Sequence, residues 1–278
     1  VLPQYRFASL ERHLRLGWNV FPAARGESIA LLPPQQRVND SWYGGTADAV
    51  FQNAYTLRAE PVSLAFVLSS DQVYRMDYRA LAGCHLDTGA AVTIAAVPVP
   101  VAEGRRFGVL ETDGGGRVRA FHEKPAVPVP IPGDPVRVLA SAGVYAFAPD
   151  VLRAVLAEDA VRESSTHDFG RDVLPAMVAD GYPVFAFDAQ RGDPLGAGGD
   201  FYWRDIGDID SYWAASMDLL ASPPPFDLLE PRWPTHTHQA VLPPARVVAD
   251  AHRPVGVTDS ILAGGVSVAN ARVHRSIL

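Results

Sequence analysis

The chain has 278 residues, of which 48% are hydrophobic, so it can bury a full core, and a disordered chain is excluded. Its formal net charge is -7 at pH 7 without any block of basic residues, which disfavours nucleic acid and anionic membranes as partners. The single cysteine, Cys84, excludes an internal disulfide framework and a cysteine-rich zinc site and favours a reducing compartment, so we expect a cytoplasmic protein.

Helical and strand patterns alternate along most of the chain. Helical patterns cover residues 7–16, 47–57, 77–86, 149–158, 169–179 and 209–220. Strand patterns cover residues 63–69, 91–99, 107–111, 117–123, 140–147 and 184–188, with a tight hairpin turn at 113–116. Because strands that alternate with helices are typical of parallel sheets, we predict an α/β fold with a parallel sheet and with ligands at the carboxyl ends of its strands.

The run WYGGTADAVFQN at residues 42–53 joins a glycine loop to a helix start. Gly44 and Gly45 leave bare backbone for a ligand to approach, and Thr46 is the predicted N-cap of the helix that follows. Free N–H groups at such a helix start would bind an anion or a nucleotide. An ordinary loop-to-helix junction is the alternative explanation.

Two aspartates are candidate metal ligands. Asp71 lies just past a predicted strand, where a carboxylate can hold magnesium against substrate phosphates, although a turn-forming role is the alternative. Asp205 lies in the run YWRDIGDID, and its alternative role is an ion pair with Arg204 together with helix capping. A shared metal site requires the two carboxylates to converge in space, which sequence separation does not show.

The run FHEKP at residues 121–125 ends a predicted strand. Pro125 is expected to restrict Lys124 to an extended backbone, so that Lys124 projects its cation towards a phosphate while Glu123 accepts from sugar hydroxyls. A surface Glu–Lys pair without function is the alternative. Small residues within strands indicate either close approach of a ligand or tight packing, and these are Gly108, Ser141 and Gly143.

Two histidine signals are weaker. His236 and His238 share one side of an extended segment, but no third ligand of clear spacing supports a zinc site. His167 and Asp168 suggest acid–base chemistry, yet a role for Asp168 at the start of the helix predicted over 169–179 explains it better.

The C-terminal part of the chain differs in composition from the rest. The proline-rich passage 222–254 predicts an extended linker, and residues 255–278 have a weak hexapeptide rhythm of a parallel β-helix. So few rungs cannot bury the face of a solenoid, so we expect the chain to be clipped at this end, as at Val1.

Taken together, the sequence blocks resemble one family, the bacterial ADP-glucose pyrophosphorylases, also called glucose-1-phosphate adenylyltransferases. The blocks are VLPQYRFASLERHLRLGW, LPPQQR, WYGGTADAVFQN, SSDQVYRMDY, FGVLETD, FHEKP, ASAGVYAF, HDFGRDVLP and YWRDIGDIDSYW. The resemblance implies a Rossmann-like, GT-A-like nucleotidyltransferase domain over residues 1–221, with a mixed, mostly parallel sheet flanked by helices. A linker over 222–254 and the beginning of a left-handed parallel β-helix over 255–278 would follow.

The resemblance also implies roles for individual residues. Contacts to the nucleotide would come from Gln35, Tyr43, Gly45 and Thr46. Contacts to glucose 1-phosphate would come from Tyr43, Gly108, Glu123, Lys124 and Ser141, with Lys124 on the phosphate. The catalytic groups would be Asp71, Lys124 and Asp205, and the two aspartates would hold the cofactor, Mg2+.

The activity that the resemblance implies is the reaction of ATP with glucose 1-phosphate to give ADP-glucose and diphosphate, for glycogen biosynthesis. A homotetramer regulated by small phosphorylated metabolites is implied as well. A non-catalytic regulatory subunit of the same family is one alternative, and an enzyme that uses another nucleoside triphosphate is the other.

The sequence departs from the family pattern in three places. Family members have a glycine-rich loop ahead of the segment that Val1 begins, so we expect this chain to be partial and inactive as it stands. Gly44 stands where the family usually has arginine, which removes a cation beside the nucleotide. Ser70 stands where the family usually has glycine, which adds a hydroxyl where the backbone approaches phosphate.

Overall fold

The structure is a computed structural model. It describes residues 1–5, 7–18, 20–21, 25–35, 42–56, 62–196, 201–249 and 255–278. The end of the helix predicted over 47–57, residues 36–37 of the LPPQQR block and residues 250–254 of the proline-rich passage lie outside the described residues.

The predicted helices and strands are present, with small shifts of their ends. Helices α1 to α6 span Ala8–Gly17, Thr46–Gln52, Tyr78–Thr88, Pro149–Ala160, Leu174–Ala179 and Ile209–Asp218. Strands β1 to β12 span Ala65–Leu68, Gln72–Tyr74, Val92–Pro100, Gly108–Thr112, Val118–Glu123, Arg137–Phe147, Val184–Asp188, Trp203–Asp205, Arg246–Val248, Gly256–Thr258, Ser267–Ala269 and Arg272–His274. The helix predicted over 169–179 is divided into a π-helical turn at Phe169–Val173 and α5.

Local sequence signals account for several of these ends. Asp77 caps α3 by accepting from the Arg79 N–H at 3.0 Å, and Gly89 ends the helix with a left-handed backbone. In the predicted hairpin, Asp113 Oδ1 accepts from the N–H groups of Gly115 and Arg117 at 3.0 Å each, which fixes the turn between β4 and β5.

The chain divides into two compact units. The first consists of Val1–Phe7, Ile29–Ser70 and Arg75–Phe201, and the second of Ala8–Ser28, Asp71–Tyr74 and Tyr202–Leu278. The first unit contains a six-stranded sheet in the order β5-β4-β6-β3-β7, in which β1 also pairs with β6.

The mixed sheet flanked by helices is confirmed, but its pairing corrects the prediction of neighbouring parallel strands. In the described residues, β1, β3, β4 and β7 run in one direction and β5 and β6 in the other, so β3 with β7 is the parallel pair of this sheet. The β1–α3–β3 alternation does give two strands of the same direction. The strand β6 lies between them and pairs antiparallel with both. It belongs to a later part of the chain, so the alternation of β1, α3 and β3 does not predict its position.

The core of the first unit lies on β3, β6 and the helices that cover them. Side chains exposed by at most 1% include Val92, Ile94, Phe147, Leu152 and Leu174. Full burial of such a side chain stabilises the fold by about 1.5–3 kcal/mol. The continuous apolar runs of the sequence therefore mark the two central strands, which are buried along most of their length.

The second unit is built from short strand pairs. The strand β2 pairs antiparallel with β8, whereas β9 pairs parallel with β11, and β10 with β12. Parallel stacking of successive segments is what a parallel β-helix requires, while its handedness and limits stay predictions. None of the helices in the described residues is long and apolar enough to cross a membrane.

Candidate active site

Strand β6 contains a discontinuity that opens the sheet. Along one edge it pairs first with β4 and later with β1, from Val144 onward. Between these two pairings Gly143 has a φ of 66°, and the register against β3 shifts, so a β-bulge lies here. The Gly143 carbonyl accepts from the Ser69 N–H at 2.9 Å. Residues 141–143 therefore lie where the ends of two neighbouring strands leave the edge of β6 uncovered.

Two hydroxyl side chains of β6 flank the bulge. Ser141 Oγ accepts from the Gly143 N–H at 3.3 Å, and Tyr145 lies four residues further along the same strand. Burial raises the pKa of Tyr145 to about 12, and the charges of Asp168 and Glu123 act in the same direction. The phenol is therefore neutral at physiological pH and can donate a hydrogen bond.

Two glycines make room for the carboxylate of Glu123. A Cβ added at Gly108 would lie 3.1 Å from Glu123 Oε2 and would overlap the Phe121 ring, and one added at Gly170 would lie 2.7 Å from the same oxygen. Burial raises the pKa of Glu123, while the Lys124 ammonium acts in the opposite direction. A partly buried carboxylate with bare backbone on two sides is suited to accept hydrogen bonds from ligand hydroxyls.

Lys124 presents its cation beside Glu123, but from a different backbone than predicted. Its φ is 46°, in the left-handed region, so the expected extended backbone is wrong. The Lys124 N–H continues the hairpin by donating to the Phe107 carbonyl at 3.1 Å, and the chain then turns away at Pro125. This backbone costs a lysine about 1–2 kcal/mol. The Lys124 side chain is 61% exposed, and its ammonium lies 3.8 Å from Glu123 Oε1.

Thr46 begins helix α2 and does not cap it, which corrects the predicted N-cap. The cap position belongs to Gly45, and the helix has no side-chain cap. The Thr46 hydroxyl instead donates to Asp168 Oδ2 at 3.0 Å and accepts from the Phe169 N–H at 3.1 Å. Asp168 also accepts from two N–H groups of the following turn, which confirms its predicted role at a helix start.

The first amides of α2 are occupied by the chain itself. The N–H groups of Ala47 and Asp48 both donate to the His167 carbonyl, at 2.8 and 3.4 Å. A Cβ at Gly45 would overlap that carbonyl oxygen and would lie 2.5 Å from the Thr166 carbonyl oxygen. The prediction of free amides at this helix start is therefore wrong. The bare backbone of Gly45 meets residues 166–167, and this close approach explains why glycine stands there.

Gly44 lies in a different environment. Its nearest neighbours would meet an added Cβ at 3.7 Å, an ordinary contact distance, and they are Asp48 Oδ2 and the Cδ2 edge of the His167 imidazole. Its backbone also lies outside the left-handed region. A Cβ therefore fits at this position, so the backbone and its immediate surroundings do not require glycine here.

Two predicted nucleotide contacts are placed differently from each other. Tyr43 is only 8% exposed, and its hydroxyl donates to the Leu32 carbonyl and accepts from Asn53 Nδ2, both at 2.9 Å. These bonds fix the start of the glycine loop to the helix behind it. Gln35 is exposed and precedes residues outside the described part of the chain. Ligand contacts of both residues stay predictions.

The two candidate metal ligands converge within the second unit. Strands β2 and β8 pair so that Gln72 lies opposite Asp205, and the Ile206 N–H donates to the Asp71 carbonyl at 2.9 Å. A Cβ added at Gly207 would lie 3.6 Å and 3.7 Å from the two carboxylate oxygens of Asp205 and 3.8 Å from Asp71 Oδ2. Both carboxylates thus face one small region, which sequence separation did not show.

The alternatives for Asp205 were an ion pair with Arg204 and the capping of a helix, and the structure shows other residues in these two roles. Arg204 pairs with Asp218 at 2.9 Å, and Asp208 caps helix α6 by accepting from the Ser211 N–H at 2.7 Å. Among the described residues, no group of three or more His, Cys, Asp or Glu side chains is arranged to hold a metal ion. In many magnesium sites, however, the protein provides only one or two carboxylate ligands, and phosphate oxygens and water complete the coordination.

Comparison with known proteins gives one consistent family. The family model described as Nucleotidyl transferase matches residues 1–222. The chain belongs to the nucleotidyl transferase family. The whole chain is 42% identical to glucose-1-phosphate adenylyltransferase 2 of Pseudoalteromonas atlantica and 45% identical to glucose-1-phosphate adenylyltransferase of Shewanella amazonensis, and it covers 65% of each. It is 44% identical to glucose-1-phosphate adenylyltransferase 2 of Vibrio cholerae and covers 68% of that protein. The chain thus spans about two thirds of the length of these curated relatives, whose names confirm the resemblance.

In this nucleotidyl transferase, several predicted site residues of the first unit are connected. Gly108 abuts the carboxylate of Glu123, which lies beside the ammonium of Lys124. The pKa of Tyr145 is raised by burial, and it also responds to the hydroxyl of Ser141 and to the charge of Glu123. Thr46 joins this group through its hydrogen bond to Asp168.

The sequence did not predict three residues at this site, Tyr145, Phe169 and Gly170, and it indicated His167 only through a weak acid–base signal. The Phe169 ring lies 5.9 Å from that of Tyr145, and Gly170 closes on Glu123. All three stand in the blocks ASAGVYAF and HDFGRDVLP, whose resemblance to the family does not by itself assign a role to each residue. Gly170 could have indicated the site from sequence, because it is a glycine just inside a predicted helix. Glycine lowers helix propensity, so its presence there indicates close packing against the backbone.

Proposed function

We propose that the protein is a glucose-1-phosphate adenylyltransferase, which converts ATP and glucose 1-phosphate into ADP-glucose and diphosphate. The proposal extends to this chain the activity printed in the names of relatives that are 42% to 45% identical to it. In this reaction an oxygen of glucose 1-phosphate attacks the α-phosphorus of ATP, and diphosphate leaves. Such a transfer needs alignment and charge neutralisation more than a covalent nucleophile.

The observation that carries the proposal is the convergence of Asp71 and Asp205 beside Gly207. A binding protein for sugar phosphates does not require two carboxylates at one point, since they repel a bound phosphate unless a cation lies between them. We assign Asp71 and Asp205 as the residues that would hold Mg2+, which neutralises phosphate charge when it is bound.

The pocket of the first unit supplies the groups that a sugar phosphate requires. The ammonium of Lys124 is assigned to the phosphate and Glu123 to the sugar hydroxyls, and Gly108 and Ser141 are assigned to the same site. A hydrogen bond to a charged group contributes about 1.5–3 kcal/mol. Loss of the Lys124 ammonium is therefore expected to weaken use of glucose 1-phosphate by about 10- to 150-fold.

The decisive experiment measures diphosphate release by the protein expressed from its complete reading frame. ATP and UTP are compared at matched concentrations with glucose 1-phosphate and Mg2+, and Lys124→Ala is compared with Lys124→Arg, which retains the cation. We expect activity with ATP, with a larger loss for alanine than for arginine. Absence of diphosphate release would favour the non-catalytic regulatory subunit, and a preference for UTP would refute the adenylyl assignment.

The remaining assignments rest on the family alone. We propose a role in glycogen biosynthesis, a cytoplasmic location, and a homotetramer that responds to small phosphorylated metabolites. We also propose the domain limits 1–221, 222–254 and 255–278, in which the last segment begins a left-handed β-helix. Size-exclusion chromatography with light scattering tests the tetramer, and it does so independently of the catalytic assay.

A further inference from the structure

A buried carboxylate and a half-exposed imidazole lie beside the glycine loop, and neither has a role in the proposed function. Asp159 of helix α4 is 5% exposed, and its Oδ2 lies 2.8 Å from Nδ1 of His167, whose side chain is 29% exposed. Asp159 Oδ1 accepts from the Ser165 hydroxyl at 2.7 Å. Because a carboxylate can only accept, this arrangement holds the ring proton of His167 on Nδ1 and fixes the orientation of the ring.

The backbone of His167 is held in an unusual conformation by the same contacts. Its φ is 56°, in the left-handed region, which residues with a side chain rarely adopt. The His167 N–H donates to Ser165 Oγ at 2.9 Å, so Ser165 and Asp159 together hold both the backbone and the side chain. Strained backbones persist only where the surroundings determine them, and they concentrate at functional sites.

The left-handed turn aims the His167 carbonyl at the start of helix α2. That carbonyl accepts from the Ala47 N–H at 2.8 Å, and the neighbouring Gly45 has no room for a Cβ against it. The next residue, Asp168, accepts from the Thr46 hydroxyl at 3.0 Å. His167 is therefore the point at which the glycine loop, residues 44–46, is joined to the turn 168–170.

The turn 168–170 forms one wall around Glu123. The backbone of Gly170 approaches Glu123 so closely that a Cβ there would lie 2.7 Å from Oε2. The Phe169 ring packs at 5.9 Å against that of Tyr145. A displacement of this turn changes the space around the Glu123 carboxylate, because there is no room for even one added carbon between Gly170 and that carboxylate.

We propose that Asp159 and His167 form a positioning dyad that sets the junction between the glycine loop and the turn 168–170, and through it the geometry of the glucose 1-phosphate site. Neither side chain is assigned to touch substrate. The inference rests on the proposed function for the identity of the ligand. It goes beyond that function because it assigns a role to a carboxylate and an imidazole outside the substrate contacts.

Two substitutions at residue 167, together with a control at residue 274, separate the imidazole from the backbone turn. His167→Gly accommodates the left-handed backbone but removes the bond to Asp159. His167→Asn tolerates the same backbone, and its Nδ2 is separated from the backbone by as many bonds as Nδ1 of histidine, so it can restore the donor to Asp159. His274→Ala is the matched control, since His274 also lies near a carboxylate, at 3.6 Å from Asp259, in the exposed part of the second unit.

The experiment uses the protein expressed from its complete reading frame, and it measures KM and kcat for glucose 1-phosphate together with calorimetric binding of glucose 1-phosphate. For His167→Gly we expect KM and Kd to rise about tenfold in protein that keeps its far-UV circular dichroism. For His167→Asn we expect recovery of most of this loss, and for His274→Ala no change. If the glycine variant does not fold, Ser165→Ala replaces it. This substitution removes one bond to Asp159 and the bond to the His167 N–H, and we expect it to raise KM and Kd about threefold.

The outcomes distinguish the inference from the proposed function. A wild-type protein without diphosphate release contradicts the proposed function, while the binding series still tests the dyad. An unchanged KM and Kd in folded His167→Gly, with only a smaller active fraction, would overturn the inference and leave the pair with a purely stabilising role. An equal rise in the glycine and asparagine variants would also overturn it, since the donor to Asp159 would then be irrelevant.

Discussion

Replacement of Gly45 with alanine is expected to destabilise the first unit, although the change adds only one methyl group. The new Cβ would overlap the His167 carbonyl oxygen and would lie 2.5 Å from the Thr166 carbonyl oxygen and 2.6 Å from the His167 carbonyl carbon. All three neighbours are backbone atoms, so no side chain can rotate away. Overpacking of this kind costs about 1–3 kcal/mol, and separation of α2 from His167 also weakens a hydrogen bond worth about 1 kcal/mol.

The expected total for Gly45→Ala is therefore about 3 kcal/mol, which lowers the midpoint of thermal unfolding by about 6–12 °C for a unit of this size. The adjacent Gly44→Ala is the matched control, because its Cβ meets its nearest atoms at 3.7 Å. It is expected to change stability by less than about 1 kcal/mol, with a slight gain from the stiffer unfolded chain. Differential scanning calorimetry of both variants provides the measurement. Equal midpoints for the two variants would refute the reasoning that residues 166–167 dictate glycine at position 45.

Three further predictions concern the ligands and their charges. Gly44→Arg is expected to lower KM for ATP by about 3- to 10-fold relative to Gly44→Ala, since it adds a cation where the chain has room, and initial rates against ATP concentration check this. Asp205→Asn is expected to raise the Mg2+ concentration for half-maximal activity at least about tenfold. Asp210 is an exposed aspartate of the same unit, and Asp210→Asn is expected to leave this concentration unchanged. An equal response of the two variants in a magnesium titration would contradict a metal role for Asp205. Burial raises the pKa of Glu123, so its contribution to stability is greatest below its ordinary value of 4.5 and is lost as pH rises through the raised value. Unfolding midpoints of Glu123→Gln minus those of the wild type should therefore increase from pH 4 to pH 7, and a flat difference would show that the carboxylate is not desolvated.

The sequence predicted the elements of the fold better than their arrangement. Hydrophobic periodicity is a local property, so β3, β6 and the hairpin at Asp113 follow from it directly. The insertion of β6 between β1 and β3 is a long-range event. It depends on the pairing of β6 with strands that are distant in sequence, and a local hydrophobic pattern contains no information on that pairing.

The site shows the same division between local and distant causes. The helix-start role of Asp168 was predictable, because its partners are the next residues along the chain. Thr46 was expected to act locally as well, but its hydroxyl bonds to Asp168, which lies 122 positions further along the chain. Lys124 was expected to be extended because of Pro125, yet a hydrogen bond to Phe107 across the hairpin determines its backbone. In both cases a tertiary contact replaced the local preference.

The bulge in β6 also affects how ligand binding beside it can be detected by hydrogen exchange. The N–H of Gly143 bonds to Ser141 Oγ, a side chain, rather than to a neighbouring strand, although the residues on both sides belong to the buried centre of the sheet. We therefore expect the Gly143 amide hydrogen to exchange through local opening, while the amide hydrogens of the flanking ladder require a larger disruption of the sheet. Glucose 1-phosphate, if it binds beside Ser141 as proposed, would lie at this locally adjustable point of a strand that is otherwise largely buried. Occupancy can be recorded there as slowed hydrogen exchange, and the rest of the sheet need not move.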